Sequence, residues 1–234
     1  MPKTGGTTLE EIIARRYEGG ETFRFTGSAE NEDAFRGLND RARAGLDLMS
    51  GHTHFGVHEY IPSDCTYITM LRHPVDRIVS LYYYVLGEPD HYLHRHGFGD
   101  RHNLEDFVLR PITYEIDNLQ TRLLNPRPPM YMPAGGVTEA MFERAAVTLE
   151  EHFAVVGVTE RFDDMLAVLR GVFGWQDLSY ERRNVTRDRP RAEDLPGSTI
   201  EAIREANRFD ERLHALADRL LSASLGRLGM STQP

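Results

Sequence analysis

The chain has almost no cysteine. Cys65 is the single one in 234 residues. One thiol excludes an intrachain disulfide and gives no support to a zinc-finger framework. Its place ahead of an apolar run predicts a buried, inert thiol. Long hydrophobic runs are absent too. No stretch reaches the ~18 apolar residues of a membrane span, and no signal-peptide pattern is present. The expectation is a soluble, cytoplasmic protein with no transmembrane segment. Positive charge is in deficit, with 27 Lys and Arg against 36 Asp and Glu and a net charge of -9. That balance speaks against a general nucleic-acid binder. A content of 40% hydrophobic and 27% charged residues excludes a disordered chain. The length suits one domain spanning residues 1–234, and neither internal repeats nor a linker interrupts it.

A Walker A loop is also lacking, since that motif places its lysine after the last glycine. What stands instead is Met1-Pro-Lys-Thr-Gly-Gly-Thr-Thr-Leu9, with the lysine ahead of two glycines. Leu9, Ile12 and Ile13 then mark one face of a helix, predicted from Thr7 or Thr8 to Arg16. Glycines permit a tight turn with exposed N–H groups. The helix start points further N–H groups and its positive dipole end into that turn. Lys3, Thr4, Gly5, Gly6, Thr7 and Thr8 therefore form a candidate anion cradle, suited to phosphate. Such a loop ordinarily follows a buried strand. Only Met1 and Pro2 precede it, so the expectation is one of two: the first strand is missing, or the real start lies upstream of Met1.

Further along, Thr22–Thr26 alternates like a strand, and residues 28–47 read as a helix. Cys65–Leu71 and Phe153–Val158 are β-rich runs that fit buried parallel strands. Pro74 suits the first turn of a helix that ends at Gly87. Arg72 then lies at a strand's carboxyl end, where open α/β sheets bind ligands, and Ser80 lies two turns into the helix. Arg72 is a candidate second anion ligand. Asn103 is expected to cap a short helix. Residues 113–124 read as a helix with Ile116, Leu119 and Leu123 on one face, which leaves Asn118 and Arg122 on another, towards a cleft or, by preference, solvent. Phe162–Phe173 reads as a helix, and Ser198 opens one long final helix. Residues 182–191 carry five arginines, a basic loop on an acidic chain. Strand–helix alternation indicates one α/β domain with a central, mainly parallel sheet flanked by helices.

His52, His54 and His58 crowd into seven residues. On a strand, His52 and His54 would share one side. A metal site is conceivable, but the segment lacks the carboxylates and thiols that would complete one, and no metal is expected. The alternative is a general base beside the anion loop.

With these stretches in view, the chain resembles a sulfotransferase of the carbohydrate 2-O-sulfotransferase-like group, which has bacterial members. Pro-Lys-Thr-Gly-Gly-Thr-Thr-Leu is similar to that group's 5′-phosphosulfate loop. Leu-Arg-His-Pro-Val-Asp-Arg-Ile-Val-Ser-Leu-Tyr-Tyr-Tyr is similar to its 3′-phosphate motif. Gly-His-Thr-His-Phe-Gly resembles the segment carrying its catalytic histidine, and the runs at 118–122 and 156–163 are also similar. The resemblance implies a P-loop-like fold and 3′-phosphoadenosine 5′-phosphosulfate (PAPS) as donor. By the same resemblance, Lys3 would stabilise the leaving phosphate and His52 would be the base. Arg72 and Ser80 would hold the 3′-phosphate, and Asn184 and Thr186 would close over the nucleotide. The acceptor is left open among glycan, lipid and small molecule. The group's usual Asp after the motif arginine is His73 here. Two other classes compete: a nucleotide-dependent phosphotransferase or NTPase of P-loop-like fold, and a non-catalytic nucleotide-binding protein. The lysine position counts against the first of these.

Overall fold

The computed structural model describes residues 1–95, 103–109, 113–126, 132–180 and 194–230. Helix α1 (Gly6–Ala14) continues as a tight turn through Tyr17. Strand β1 (Thr22–Phe25) follows, then α2 (Ala29–Gly37), α3 (Asp40–Ala44) and β2 (Leu48–Gly51). The single helix expected over 28–47 is thus two. Ser28 and Asn39 explain the split, since each accepts a first-turn N–H and starts its own helix. Strand β3 (Tyr67–Leu71) leads through Arg72 and His73 into α4 (Pro74–Gly87), with Pro74 in the first turn as expected. Next come α5 (Leu104–Leu109), α6 (Leu119–Leu123), α7 (Glu139–His152), β4 (Phe153–Val158) and α8 (Phe162–Phe173). Helices α9 (Gly197–Ala206) and α10 (Arg208–Arg227) complete the described elements. Asn103 caps α5 as expected, accepting the Asp106 N–H at 2.8 Å.

The chain is mixed α/β, with short parallel sheets flanked by helices. The sequence suggests one central sheet. Among the described residues there are instead two separate parallel pairs, β1 with β2 and β3 with β4. The first pair runs from Thr22 opposite Leu48 to Phe25 opposite Gly51. Its core is aromatic, with Phe23, Phe25 and Phe35 rings 5.0–5.2 Å apart. The second pair runs from Tyr67 opposite Phe153 to Leu71 opposite Val158. The largest apolar cluster covers this pair. Leu9 and Ile12 of α1, Leu149 of α7, Leu169 of α8 and Leu213 of α10 all close on it. A smaller cluster joins α4, α5 and α9 through Ile78, Phe107 and Ile203. Cys65 lies ahead of β3 and is half-buried rather than enclosed.

One feature departs from every pattern of hydrophobic spacing. Between α6 and the junction of α9 with α10 the interior is polar. Asp117, Asn118, Gln120, Thr121, Arg122, Asn207 and Asp210 are all buried. Asn118 and Arg122 do not face solvent, as the sequence suggests; they lie in this network. Asn118 adopts a left-handed conformation (φ 48°) and caps the start of α10, accepting the N–H groups of Phe209 and Asp210. Arg122 donates to the Asp117 carboxylate and to the Met132 and Pro133 carbonyls. Asn207 ends α9. Its side chain accepts from Asn118 N and donates to the Ile116 carbonyl at 2.9 Å, so the expected single long helix is broken there. Buried polar atoms must be bonded, and here the two segments satisfy one another.

Candidate active site

The Lys3–Thr8 loop is bonded to the residues just after β3 and β4, and His52, just after β2, is near enough to feel the Lys3 charge. Gly5 occupies the cap position of α1 with φ 80°, and a Cβ there would meet Met70 Cε at 3.2 Å. Only glycine suits that turn. No side chain caps α1, so the N–H groups of its first turn, at Gly6, Thr7 and Thr8, face outward as a helix N-terminus does. The helix starts at Gly6, one residue before the expected range. Thr4 faces the other way: it is buried, donating to the Met1 carbonyl at 3.0 Å. Thr4 therefore contributes backbone rather than hydroxyl to the cradle. Thr159, just after β4, places its Oγ1 2.6 Å from the Thr4 carbonyl and 3.1 Å from that of Leu71. One hydroxyl thus joins the loop to the end of β3.

Arg72 follows β3 directly. Its guanidinium donates to the Lys3 carbonyl at 3.1 Å, which brings the two sequence motifs together. The peptide of Arg72 is held from behind by Gln120. Its N–H donates to Gln120 Oε1, and its carbonyl accepts from Gln120 Nε2, both at 2.9 Å. Gln120 is fully buried, and its own N–H is anchored on Asp210 at 3.0 Å. Ser80 lies half-buried on α4. Lys3 is the only lysine in the chain. It has a left-handed backbone (φ 64°), and its Nζ sits 3.8 Å above the Tyr84 ring.

His52 follows β2, whose last residue explains the local sequence. Gly51 has φ 104°, and a Cβ there would lie 2.1 Å from the Phe25 carbonyl oxygen. The glycine is required by neighbouring backbone. His52 N donates to that same carbonyl at 2.9 Å. The imidazole is largely enclosed, and its Nδ1 is buried without a hydrogen-bond partner. Burial lowers its pKa to about 4; the nearby Met1 amino group lowers it too, while Glu10 opposes. The ring is neutral at pH 7. Glu10 is itself held by Arg24 at 3.0 Å and by Ser50 at 2.6 Å. His54 does not share this side, because β2 stops at Gly51. Its Nδ1 lies 2.7 Å from the Phe55 carbonyl, and the ring borders a small cavity with Phe25, Phe35 and Val57. His58 packs elsewhere, with Nδ1 2.9 Å from the Tyr67 hydroxyl.

Residues 38–232 match the family model described as Galactose-3-O-sulfotransferase. The chain belongs to that family. The matched span contains His52, Arg72 and Ser80 and begins beyond the Lys3–Thr8 loop. The sequence motifs resemble a sulfotransferase, and the chain is of a sulfotransferase family. The family found is the galactose-3-O group, whereas the motifs resemble the 2-O-sulfotransferase-like group. Among similar proteins are Galactose-3-O-sulfotransferase 2 of Sus scrofa and of Homo sapiens. The first is 28% identical over 139 residues, 56% of this chain and 33% of its own. The second is 27% identical over 191 residues, 77% of this chain and 46% of its own. Galactosylceramide sulfotransferase of Bos taurus is 26% identical over 246 aligned residues, 91% of this chain and 53% of its own. The chain thus spans about a third to a half of the length of these relatives.

Within this galactose-3-O-sulfotransferase family chain, His73 takes on a particular duty. Its N–H donates to Glu160 Oε1 at 2.9 Å, and its ring lies 3.6 Å from Glu211. That contact raises its pKa, against the effect of burial. Glu160 in turn meets His214 Nε2 at 3.0 Å. The turn after Arg72 is thereby tied to α10. Asn184 and Thr186, with the five arginines around them, lie outside the described residues. Gln120, Thr159, Glu160 and Tyr84 were not singled out by sequence reasoning. Gln120 falls in the run 118–122, Thr159 and Glu160 in the run 156–163, and Tyr84 at the end of the motif 71–84; those runs are the signal that could have found them. Among the described residues, no three His, Cys, Asp or Glu side chains are grouped to hold a metal ion, and no helix is long and apolar enough to cross a membrane.

Proposed function

We propose that this chain transfers a sulfuryl group from PAPS to a hydroxyl of a galactose-bearing carbohydrate or glycolipid. The observation that carries this is the 3.1 Å bond from Arg72 to the Lys3 carbonyl. It joins a strand-end arginine to a glycine-turn loop, the two candidate anion ligands, and His52 is near enough to feel the Lys3 charge. Family membership and the names of the relatives support the reaction class and the galactose acceptor.

In this reading the first-turn N–H groups of α1, at Gly6, Thr7 and Thr8, receive the 5′-phosphosulfate. Arg72 and Ser80 receive the 3′-phosphate, which makes PAPS rather than ATP the donor. The acceptor oxygen attacks sulfur in line; its bond to sulfur forms as the bond from sulfur to the bridging phosphate oxygen breaks. The acceptor proton passes to His52, neutral and able to accept it. Negative charge collects on the departing 5′-phosphate, where Lys3 stabilises it. Positioning and charge stabilisation are the protein's main contributions, as in phosphoryl transfer. Asn184 and Thr186 are proposed to close over the nucleotide.

Calorimetric titration with 3′,5′-ADP and with ATP tests the donor assignment. The proposal expects 3′,5′-ADP to bind more tightly. Equal binding, or preference for ATP, would overturn it in favour of a phosphotransferase or NTPase.

A further inference from the structure

Lys3 has a long stem with large rotamer freedom, yet the proposed chemistry needs its ammonium at one place. Three features supply that place. The Nζ lies 3.8 Å above the centroid of the Tyr84 ring, on the negative face that attracts a cation. The Tyr84 ring is braced by the edge of His91, with centroids 5.6 Å apart and planes at 81°. Tyr84 also stands one helical turn after Ser80 on α4, so both side chains project from the same face. The Lys3 backbone is fixed separately, by the Arg72 bond to its carbonyl. Tyr84 itself is 41% exposed and belongs to none of the apolar clusters. Core packing does not account for its ring.

We infer that Tyr84 is a positioning residue for Lys3, holding the ammonium over its ring beside the bound 5′-phosphate. This rests on the donor site proposed above. The same face of α4 then serves both ends of the nucleotide, Ser80 at the 3′-phosphate and Tyr84, through Lys3, at the 5′-phosphate. The ring does the work, so phenylalanine can replace tyrosine and leucine cannot.

The single lysine makes the test direct. Reductive methylation with carbon-13 formaldehyde preserves the charge and labels the one lysine side chain together with the α-amino group, and the signal lost in Lys3→Arg identifies the lysine. In the full chain its methyl signal is expected to be shifted upfield by the aromatic ring. The shift should persist in Tyr84→Phe and vanish in Tyr84→Leu. Calorimetry on the unlabelled proteins adds a second readout. Tyr84→Leu should weaken 3′,5′-ADP about two- to five-fold, the range expected of an exposed cation–π contact. It should leave adenosine 3′-monophosphate, which lacks the 5′-phosphate, unchanged. A general disturbance of α4 would weaken both nucleotides together. An unshifted methyl signal in the parent protein would overturn the inference. So would equal losses for both nucleotides, or a Tyr84→Phe variant as impaired as Tyr84→Leu. If the parent protein binds neither nucleotide, the donor site falls. Tyr84 then has nothing to position, although the methyl signal still reports whether it holds Lys3.

Discussion

Arg72 and His52 divide the proposed work between binding and chemistry, so their variants should fail differently. Arg72→Ala removes a charge-assisted contact, expected to cost on the order of 1.5–3 kcal/mol of 3′,5′-ADP binding. A titration showing unchanged affinity would remove Arg72 from the 3′-phosphate. His52→Ala should keep nucleotide affinity and lose ~10²–10⁴-fold in turnover, while His54→Ala, turned towards the Phe25 and Phe35 rings, should lose far less. Acid stability gives a separate check on His52. Its folded pKa of about 4 lies below the ordinary 6.5. Above pH 6.5 the ring is neutral in both states and contributes nothing to the pH dependence. As pH falls from 6.5 towards 4 the unfolded chain takes up the proton first, so stability is lost across that window. His73 works in the opposite sense, because Glu211 raises its pKa and its contribution is lost as pH rises. Thermal melts between pH 4 and 6.5 should therefore show a shallower acid loss in His52→Gln than in the parent. Identical slopes would contradict an enclosed, neutral His52.

Among the elements, those with strong periodicity are legible from the chain alone. Strands β3 and β4, helix α4 with Pro74 and Gly87 at its ends, and α8 all fall close to where pattern and punctuation put them. The same is true of the loop before α1 and of Arg72 at a strand end. What escaped is polar and tertiary. Asn118 and Arg122 look like a solvated face because their side chains are polar, yet they are buried, as is Gln120 between them, in the network with Asn207 and Asp210. Hydrogen bonds between residues about 90 positions apart leave no local period to read. The break between α9 and α10 has the same origin, since the hydrophobic pattern runs on while Asn207 turns inward. The paired side of His52 and His54 was misplaced because β2 ends at Gly51, before either histidine. The polar network should carry stability out of proportion to its size. Asn207→Ala leaves the Asn118 N–H and the Ile116 carbonyl without their partner. The loss is expected at roughly 2–4 kcal/mol, from ~1–3 kcal/mol for each buried group left unsatisfied, with partial relaxation. A denaturant midpoint shift is the measurement; a midpoint within experimental error of the parent would show that the break does not depend on these bonds.

At the scale of the molecule, the candidate site is organised around the Lys3–Thr8 loop. The loop belongs to neither strand pair and is bonded to the ends of β3 and β4. Arg72 reaches Lys3, and Thr159 reaches Thr4, so the loop is fixed by the same strand ends that carry the candidate anion ligands. Behind them Gln120 and Asp210 anchor Arg72 to α6 and α10, and Glu160 ties the adjacent turn to His214. The candidate cradle, the arginine and the neutral histidine thus stand at the ends of three separate elements, α1, β3 and β2. On the proposed reading, this surface carries sulfuryl transfer to a galactose hydroxyl. The most direct measurement incubates the chain with sulfur-labelled PAPS and a terminal β-galactoside, with His52→Ala as the control. Label on the galactoside with the parent protein, and none above background with His52→Ala, is the predicted result. Label that stays with the donor, in a protein that demonstrably binds 3′,5′-ADP, across galactose-terminated glycans and galactosylceramide alike, would contradict it.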